Sequence, residues 1–159
     1  RNNLKFFGSD RNWQSLLVNA AKYIPLNKRQ SQTLAFWNYD WITLNGHPPY
    51  LDLPATGWDN SYNTGRGFIQ GRFRGNTMFY FETEYRFDIT CNGVLGGVLF
   101  SNIETVSSAP SRNLEQLQPG YGLGIRIKLN KKSNTNLAID YGFGTSGMRG
   151  FSVNLGEVF

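Results

Sequence analysis

Between residues 78 and 89 the side chains alternate with a period of two, which fits a strand with two unlike faces and does not fit a helix. Phe79, Phe81, Thr83, Tyr85, Phe87 and Ile89 line one face, and Met78, Tyr80, Glu82, Glu84, Arg86 and Asp88 the other. Residues 121–130 repeat the pattern, with Tyr121, Leu123, Ile125, Ile127 and Leu129 opposed to Gly122, Gly124, Arg126 and Lys128. In residues 137–144, Leu137, Ile139, Tyr141 and Phe143 oppose Ala138, Asp140, Gly142 and Gly144. The last strand sets Phe151, Val153, Leu155 and Phe159 against Ser152, Asn154 and Gly156, and only Glu157 breaks its apolar row.

Earlier segments are less regular. Residues 33–44 place Trp37, Tyr39 and Trp41 on one face and Asn38 and Asp40 on the other, although Leu34, Phe36 and Ile42 blur the polar side. Residues 13–26 read as a strand, with a helical stripe of Leu16, Leu17, Ala20 and Ile24 ending at Pro25 as the alternative. Residues 3–8 and 93–102 complete eight strands. A content of 18 Gly, 12 Phe, 8 Tyr and 4 Trp in 159 residues agrees with an all-β chain of one domain. The longest nearly apolar run, residues 94–100, is too short to cross a bilayer as a helix, whereas spanning strands escape that test because alternate residues are polar.

The links between strands separate a membrane barrel from a soluble one. After the connection at 9–12, a short turn at 25–29 is followed by a very long loop at 45–75 and a tight turn at Asn92-Gly93. A long loop at 103–119, a short turn at 130–134 and a connection at 145–150 complete the series. Such alternation matches outer-membrane barrels, with short periplasmic turns and long extracellular loops, and it places the C-terminus in the periplasm. Trp13, Tyr23, Trp41 and Phe159 at strand ends suit interfacial aromatic girdles.

Two stretches carry a family resemblance. Residues 151–159, with Phe151, Val153, Leu155 and Gly156 leading to a final Phe159, resemble the outer-membrane assembly signal. Gly65-Arg66-Gly67-Phe68, followed by Gly71-Arg72-Phe73-Arg74, resembles the Arg-Gly-aromatic motif of the bacterial surface antigen family, which includes barrel-assembly insertases and two-partner secretion transporters. In that family the motif lies in the sixth extracellular loop and five strands follow it, as five follow here. The resemblance implies that the chain is an antiparallel transmembrane β-barrel domain over residues 1–159, the C-terminal half of a sixteen-stranded barrel. A closed eight-stranded barrel is the alternative. The resemblance also implies an N-terminal half and periplasmic docking domains not contained in this sequence. It makes Arg66 the arginine that folds back into the lumen, Glu84 its first-choice partner and Glu82 its second. The family's second acid falls at Asn102 and a nearby Gly at Glu104, two departures from the pattern.

Other chemistry finds little support. Taken without their strand context, residues 65–75 are a solvated basic loop before they are an RNA-binding segment, and a net charge of +5 from scattered residues argues against nucleic acid as a partner. One His and one Cys leave no zinc-type set, and His47 has no convincing Ser or Asp arrangement beside it. Charges along residues 78–88 fit interior pairing better than a catalytic carboxylate pair. Tyr141-Gly142-Phe143-Gly144 lacks the spacing of a phosphate loop. The expectation is therefore no enzyme, no cofactor and no metal. The chain is expected to be an insertase or polypeptide translocase component in the Gram-negative outer membrane, in contact with lipid and lipopolysaccharide, with unfolded outer-membrane or secreted polypeptides as its partners. The runner-up is a small barrel that binds a ligand or anchors the surface.

Overall fold

The computed structural model describes residues 1–59, 63–107, 113–130 and 135–159. Eight antiparallel strands form one sheet in chain order. They are β1 (Asn2–Asn3), β2 (Trp13–Pro25), β3 (Gln32–Gly46), β4 (Thr77–Asp88), β5 (Leu95–Val106), β6 (Gln118–Asn130), β7 (Thr135–Phe143) and β8 (Arg149–Leu155). The described residues contain no α-helix, only short 3₁₀ turns. Among them β8 pairs with β7 alone, and β1 covers β2 only at Trp13 and Gln14, so the sheet keeps two edges.

Residues 13–26, where a helix was the alternative, form strand β2, paired with β3 along its length. Residues 3–8 do not form the expected strand. After two residues of β1 the chain turns into a 3₁₀ helix at Lys5–Phe7 and leaves it through Gly8 at φ 87°. Leu4-Lys5-Phe6-Phe7 has no period of two, and the Asn12 side chain accepts from the Lys5 backbone N–H at 2.7 Å, which holds the turn. β5 and β6 run further into the loop expected at 103–119 than the sequence pattern implied. Residues 60–62 and 108–112 of the two long loops, and 131–134 of the turn expected at 130–134, lie outside the described residues.

The two faces of the sheet differ in the sense the alternation requires. On β4, Met78, Tyr80, Glu82 and Glu84 are buried, while Phe81 stays 43% exposed. The open face continues through Leu99 and Ile103 on β5, Tyr121, Leu123 and Ile125 on β6, Tyr141 on β7, and Phe151, Val153 and Leu155 on β8, all exposed. The covered face carries an apolar cluster of Trp37, Tyr39, Trp41, Met78, Tyr80, Val106 and Val158, followed by the charged residues described below.

On β3 the aromatic row faces inward. Asn38 and Asp40 share the open face with Leu34, Phe36 and Ile42, and the Asn38 amide donates to Asp40 at 2.8 Å. The expected aromatic girdle is corrected here. Trp13 and Trp41 are buried, and Tyr23 and Phe159 stack on each other on the covered side, their ring centroids 6.2 Å apart. Phe159 does not continue the row of Phe151, Val153 and Leu155, because β8 stops at Leu155 and Gly156 turns the chain at φ 110°.

Candidate functional site

The loop between β3 and β4 lies against the covered face, and its glycines explain how closely. Gly65 and Gly67 take φ of 73° and 103°, a left-handed region that side chains disfavour, and the Phe68 N–H closes the tip by donating to the Gly65 carbonyl at 2.9 Å. A Cβ on Gly67 would sit 2.9 Å from the Phe143 backbone, and one on Gly142 would sit 2.6 Å from the Gly67 nitrogen. Backbone thus packs on backbone. The stem of the loop is held by Asp59, whose carboxylate accepts from the N–H groups of Asn63 and Thr64 at 2.9 and 2.8 Å. Thr56 donates to Glu104 at 3.0 Å, tying the loop to β5.

That placement drives Arg66 onto the acidic part of the sheet. Its guanidinium pairs with Glu82 and Glu84 on β4, and with Asp140 on β7 at 3.0 Å, while its Cζ lies over the Phe100 ring, 3.8 Å from the centroid. The Asn102 amide donates to the Arg66 carbonyl at 2.9 Å, and Tyr80 donates to Glu82. β4 and β7 are three strand steps apart, about 14 Å on a flat sheet. One guanidinium bonded to both requires the sheet to curl around the loop. Burial alone pulls the Arg66 guanidinium down, but Glu82, Glu84 and Asp140 outweigh it and raise Arg66 above its ordinary value, so it stays charged.

Two further arginines extend the network. Arg126 on β6 binds Asp140 at 2.6 Å and Glu157 at 3.1 Å, and stands 3.6 Å from Glu84. Arg86 binds Glu84 at 2.5 Å and approaches Glu157 at 3.6 Å. Loop, β4, β6, β7 and the segment after β8 therefore share one connected set of charges, buried at Arg66, Glu82, Glu84, Arg126 and Asp140 and half-buried at Arg86 and Glu157. Each ion in such a set gives up its hydration, so the pairing first offsets that cost before it adds net stability.

Of the residues singled out in the sequence, Gly65, Arg66, Gly67, Phe68, Glu82 and Glu84 come together. Phe68 is buried and meets Phe73 edge-on at 5.5 Å. Glu82 and Glu84 both reach Arg66, so the order of preference between them has no counterpart in the geometry. Asn102, where the family pattern has an acid, binds the Arg66 backbone instead. Asp140, Arg126 and Arg86 were not singled out, although Asp140 is the lone acid in the small-residue row of Ala138, Gly142 and Gly144. Phe151, Val153 and Leu155 stand on the open face, whereas Gly156 and Phe159 belong to a turn and a half-buried aromatic contact on the other side. Among the described residues no group of three or more His, Cys, Asp or Glu side chains could hold a metal ion.

A scan against protein-family models finds no match to this chain, and a search of curated proteins finds none at a significant level.

Proposed function

We infer that the chain is part of an outer-membrane β-barrel that inserts or translocates unfolded polypeptides, and that it acts through its wall and lumen without covalent catalysis. The observation that carries this reading is the inverted polarity of the sheet. Glu82, Glu84, Glu104, Asp140, Arg66 and Arg126 are buried, whereas Phe81, Leu99, Leu123, Phe151, Val153 and Leu155 are exposed. A soluble protein does the reverse, and a strand with lipid on one side and a lumen on the other needs this arrangement. The Arg66 loop supports the polypeptide-handling part, because a loop held against the covered face by charges stands where a passing chain would run. The outer edge of β8, which has no partner strand among the described residues, supports a seam at which an incoming strand adds by β-augmentation.

The test has two arms. In detergent phase separation and vesicle flotation the chain is expected with the detergent and the lipid, and recovery in the aqueous phase overturns the membrane reading. In vesicles, the whole protein is expected to accelerate insertion or release of an unfolded barrel polypeptide, and Arg66→Ala to slow it. A vesicle-bound protein with no effect on any polypeptide would leave only an anchor or a ligand-binding barrel.

A further inference from the structure

Asp40 stands where a lipid-facing strand should carry an apolar side chain. Direct partners on antiparallel strands share a face, so Val18, Asp40, Phe79 and Thr105 form one row across the open side of β2 to β5, and Ala20, Asn38, Phe81 and Ile103 form the next. Among the described residues the charged side chains on the open face of β2 to β8 are Lys22, Asp40 and Arg149. Lys22 lies close to the end of β2 at Pro25 and has a stem long enough to carry its ammonium to an interface, and Arg149 opens β8. Asp40 has a short side chain, with Ile42 and Leu44 beyond it on the same face of its own strand. It must find its partners at its own depth.

The fold supplies one of them. The Asn38 amide donates to Asp40 at 2.8 Å, which leaves the second carboxylate oxygen and the Asn38 carbonyl oxygen as acceptors, and no other side chain among the described residues donates to either. Phe81, directly opposite Asn38, stacks on Phe36 with ring centroids 6.3 Å apart, so its ring covers the neighbouring row rather than the amide. The space left is a groove of about 220 Å³ lined by Asn38, Asp40, Phe79, Phe81, Ile103 and Leu117. Thr105 beside it gives its hydroxyl proton to the Glu115 carbonyl at 2.8 Å. The groove is therefore an apolar trough with acceptors along one side and no free donor.

Its depth narrows the choice of occupant. β4 begins at Thr77 and β5 ends at Val106, so the row of Phe79 and Thr105 lies within about 7 Å of the rim that carries the long loops. With those loops extracellular, that is the level at which acyl chains of the outer leaflet meet their head groups. A diester phospholipid presents ester oxygens there, which are acceptors and have nothing to give Asp40. Lipid A, the anchor of lipopolysaccharide, joins part of its acyl chains through amides and carries hydroxyls near their roots. Its N–H and O–H groups are donors at the depth of the carboxylate, and hydrogen bonds to an ionised acceptor are the strong ones.

We propose that the Asn38–Asp40 notch is a binding site for an amide-linked, hydroxylated acyl chain of lipid A, whose N–H and O–H donate to Asp40 and Asn38 while the chain lies along Phe79, Phe81, Ile103 and Leu117. The proposal rests on the membrane reading above and deepens it by naming the lipid and the place.

The whole protein in micelles is offered equal amounts of lipid A, phosphatidylcholine and phosphatidylethanolamine, and the lipid it retains is counted by native mass spectrometry. EDTA is present so that no divalent cation bridges Asp40 to a phosphate. Wild type is expected to retain lipid A at least about tenfold over either phospholipid. Asn38→Leu/Asp40→Leu, which makes the face uniformly apolar, is expected to lose that preference, and Thr83→Leu on the same face to keep it. In phosphatidylcholine bilayers the double variant is expected to unfold at a higher urea concentration than wild type, and added lipid A to close the gap. No preference in wild type, a preference that survives the double variant, stronger retention of phosphatidylethanolamine, or a wild type whose unfolding lipid A leaves unmoved overturns the proposal. Recovery of the chain in the aqueous phase removes the membrane reading and the site with it, whereas a chain that floats with vesicles and shows no lipid preference loses the site alone.

Discussion

The Arg66 guanidinium is buried and bonded to three carboxylates at once, those of Glu82, Glu84 and Asp140. Removing the guanidinium leaves Glu82, Glu84 and Asp140 facing one another with Arg86 and Arg126 as the remaining cations. Breaking a buried pair from one side costs about 3–5 kcal/mol, so Arg66→Ala should lower stability by that order in urea unfolding from micelles. Arg66→Lys should recover little of it, because an ammonium cannot span several carboxylates with a planar fork. In a double-mutant cycle Arg66→Ala and Glu84→Ala should be strongly non-additive, and additive losses would mean the contact carries no coupling. A separate effect belongs to Gly67. Ala there would bring a Cβ to 2.9 Å from the Phe143 backbone at a φ of 103°, so Gly67→Ala should lift the tip and expose the loop to protease. Protease resistance equal to wild type would count against this packing. The Arg66 pairing with β4 was expected from the family resemblance, and the alternation of residues 78–89 supplied the inward side on which Glu82 and Glu84 fall. Asp140 and Arg126 were not, since they reach the site only when the sheet curls, and alternation within a strand carries no record of curl.

At the scale of elements, the period of two identified strands well where each side chain has a single environment. It failed where the chain changes surroundings mid-segment. Residues 5–7 leave the sheet for a 3₁₀ turn, and Phe159 follows a glycine turn onto the covered face. In the second case the sequence held a clue, because Glu157 would face outward if β8 continued, and the turn instead delivers it to Arg126. The aromatic residues at strand ends misled for a related reason, since Trp13 and Trp41 are as useful inside as at an interface. The open face itself gives a graded prediction. Arg placed at Phe79, Phe81 or Tyr85 should destabilise the folded chain in bilayers according to depth, by about 2–4 kcal/mol near the midplane. Arg at Ser152 or Asn154 on the other face should show no such depth dependence. A flat response along β4 would remove the lipid assignment. The Asn38–Asp40 pair breaks the apolar band beside β2, and its internal hydrogen bond offsets part of the cost of that position.

For the whole molecule, the sheet and the loop over it hold each other in place. The loop buries Pro54, Ala55 and Phe68 and packs Trp58 and Phe73 on the aromatic cluster, and the sheet alone would leave Glu82, Glu84 and Glu104 under no cover. Arg66 joins the loop to β4 and β7, Arg126 joins β7 to the segment after β8, and that segment packs on the aromatic cluster of β3 and β4. Contacts that pass through every layer predict a single cooperative transition rather than peeling of the loop from a standing wall. Two probes follow different parts of it. Protease cleavage within residues 47–76 reports the loop, and tryptophan fluorescence, with the loop's Trp58 replaced by Phe throughout so that the signal comes from the buried Trp13, Trp37 and Trp41, reports the sheet. In wild type the two should change at the same urea concentration. In Arg66→Ala the loop should be cleaved well below the concentration at which the fluorescence changes, because its charged tether to the wall is gone while the aromatic cluster is untouched. Separate transitions in wild type would show that the loop is an independent cover, and coincident transitions in Arg66→Ala would show that contacts other than the guanidinium hold it.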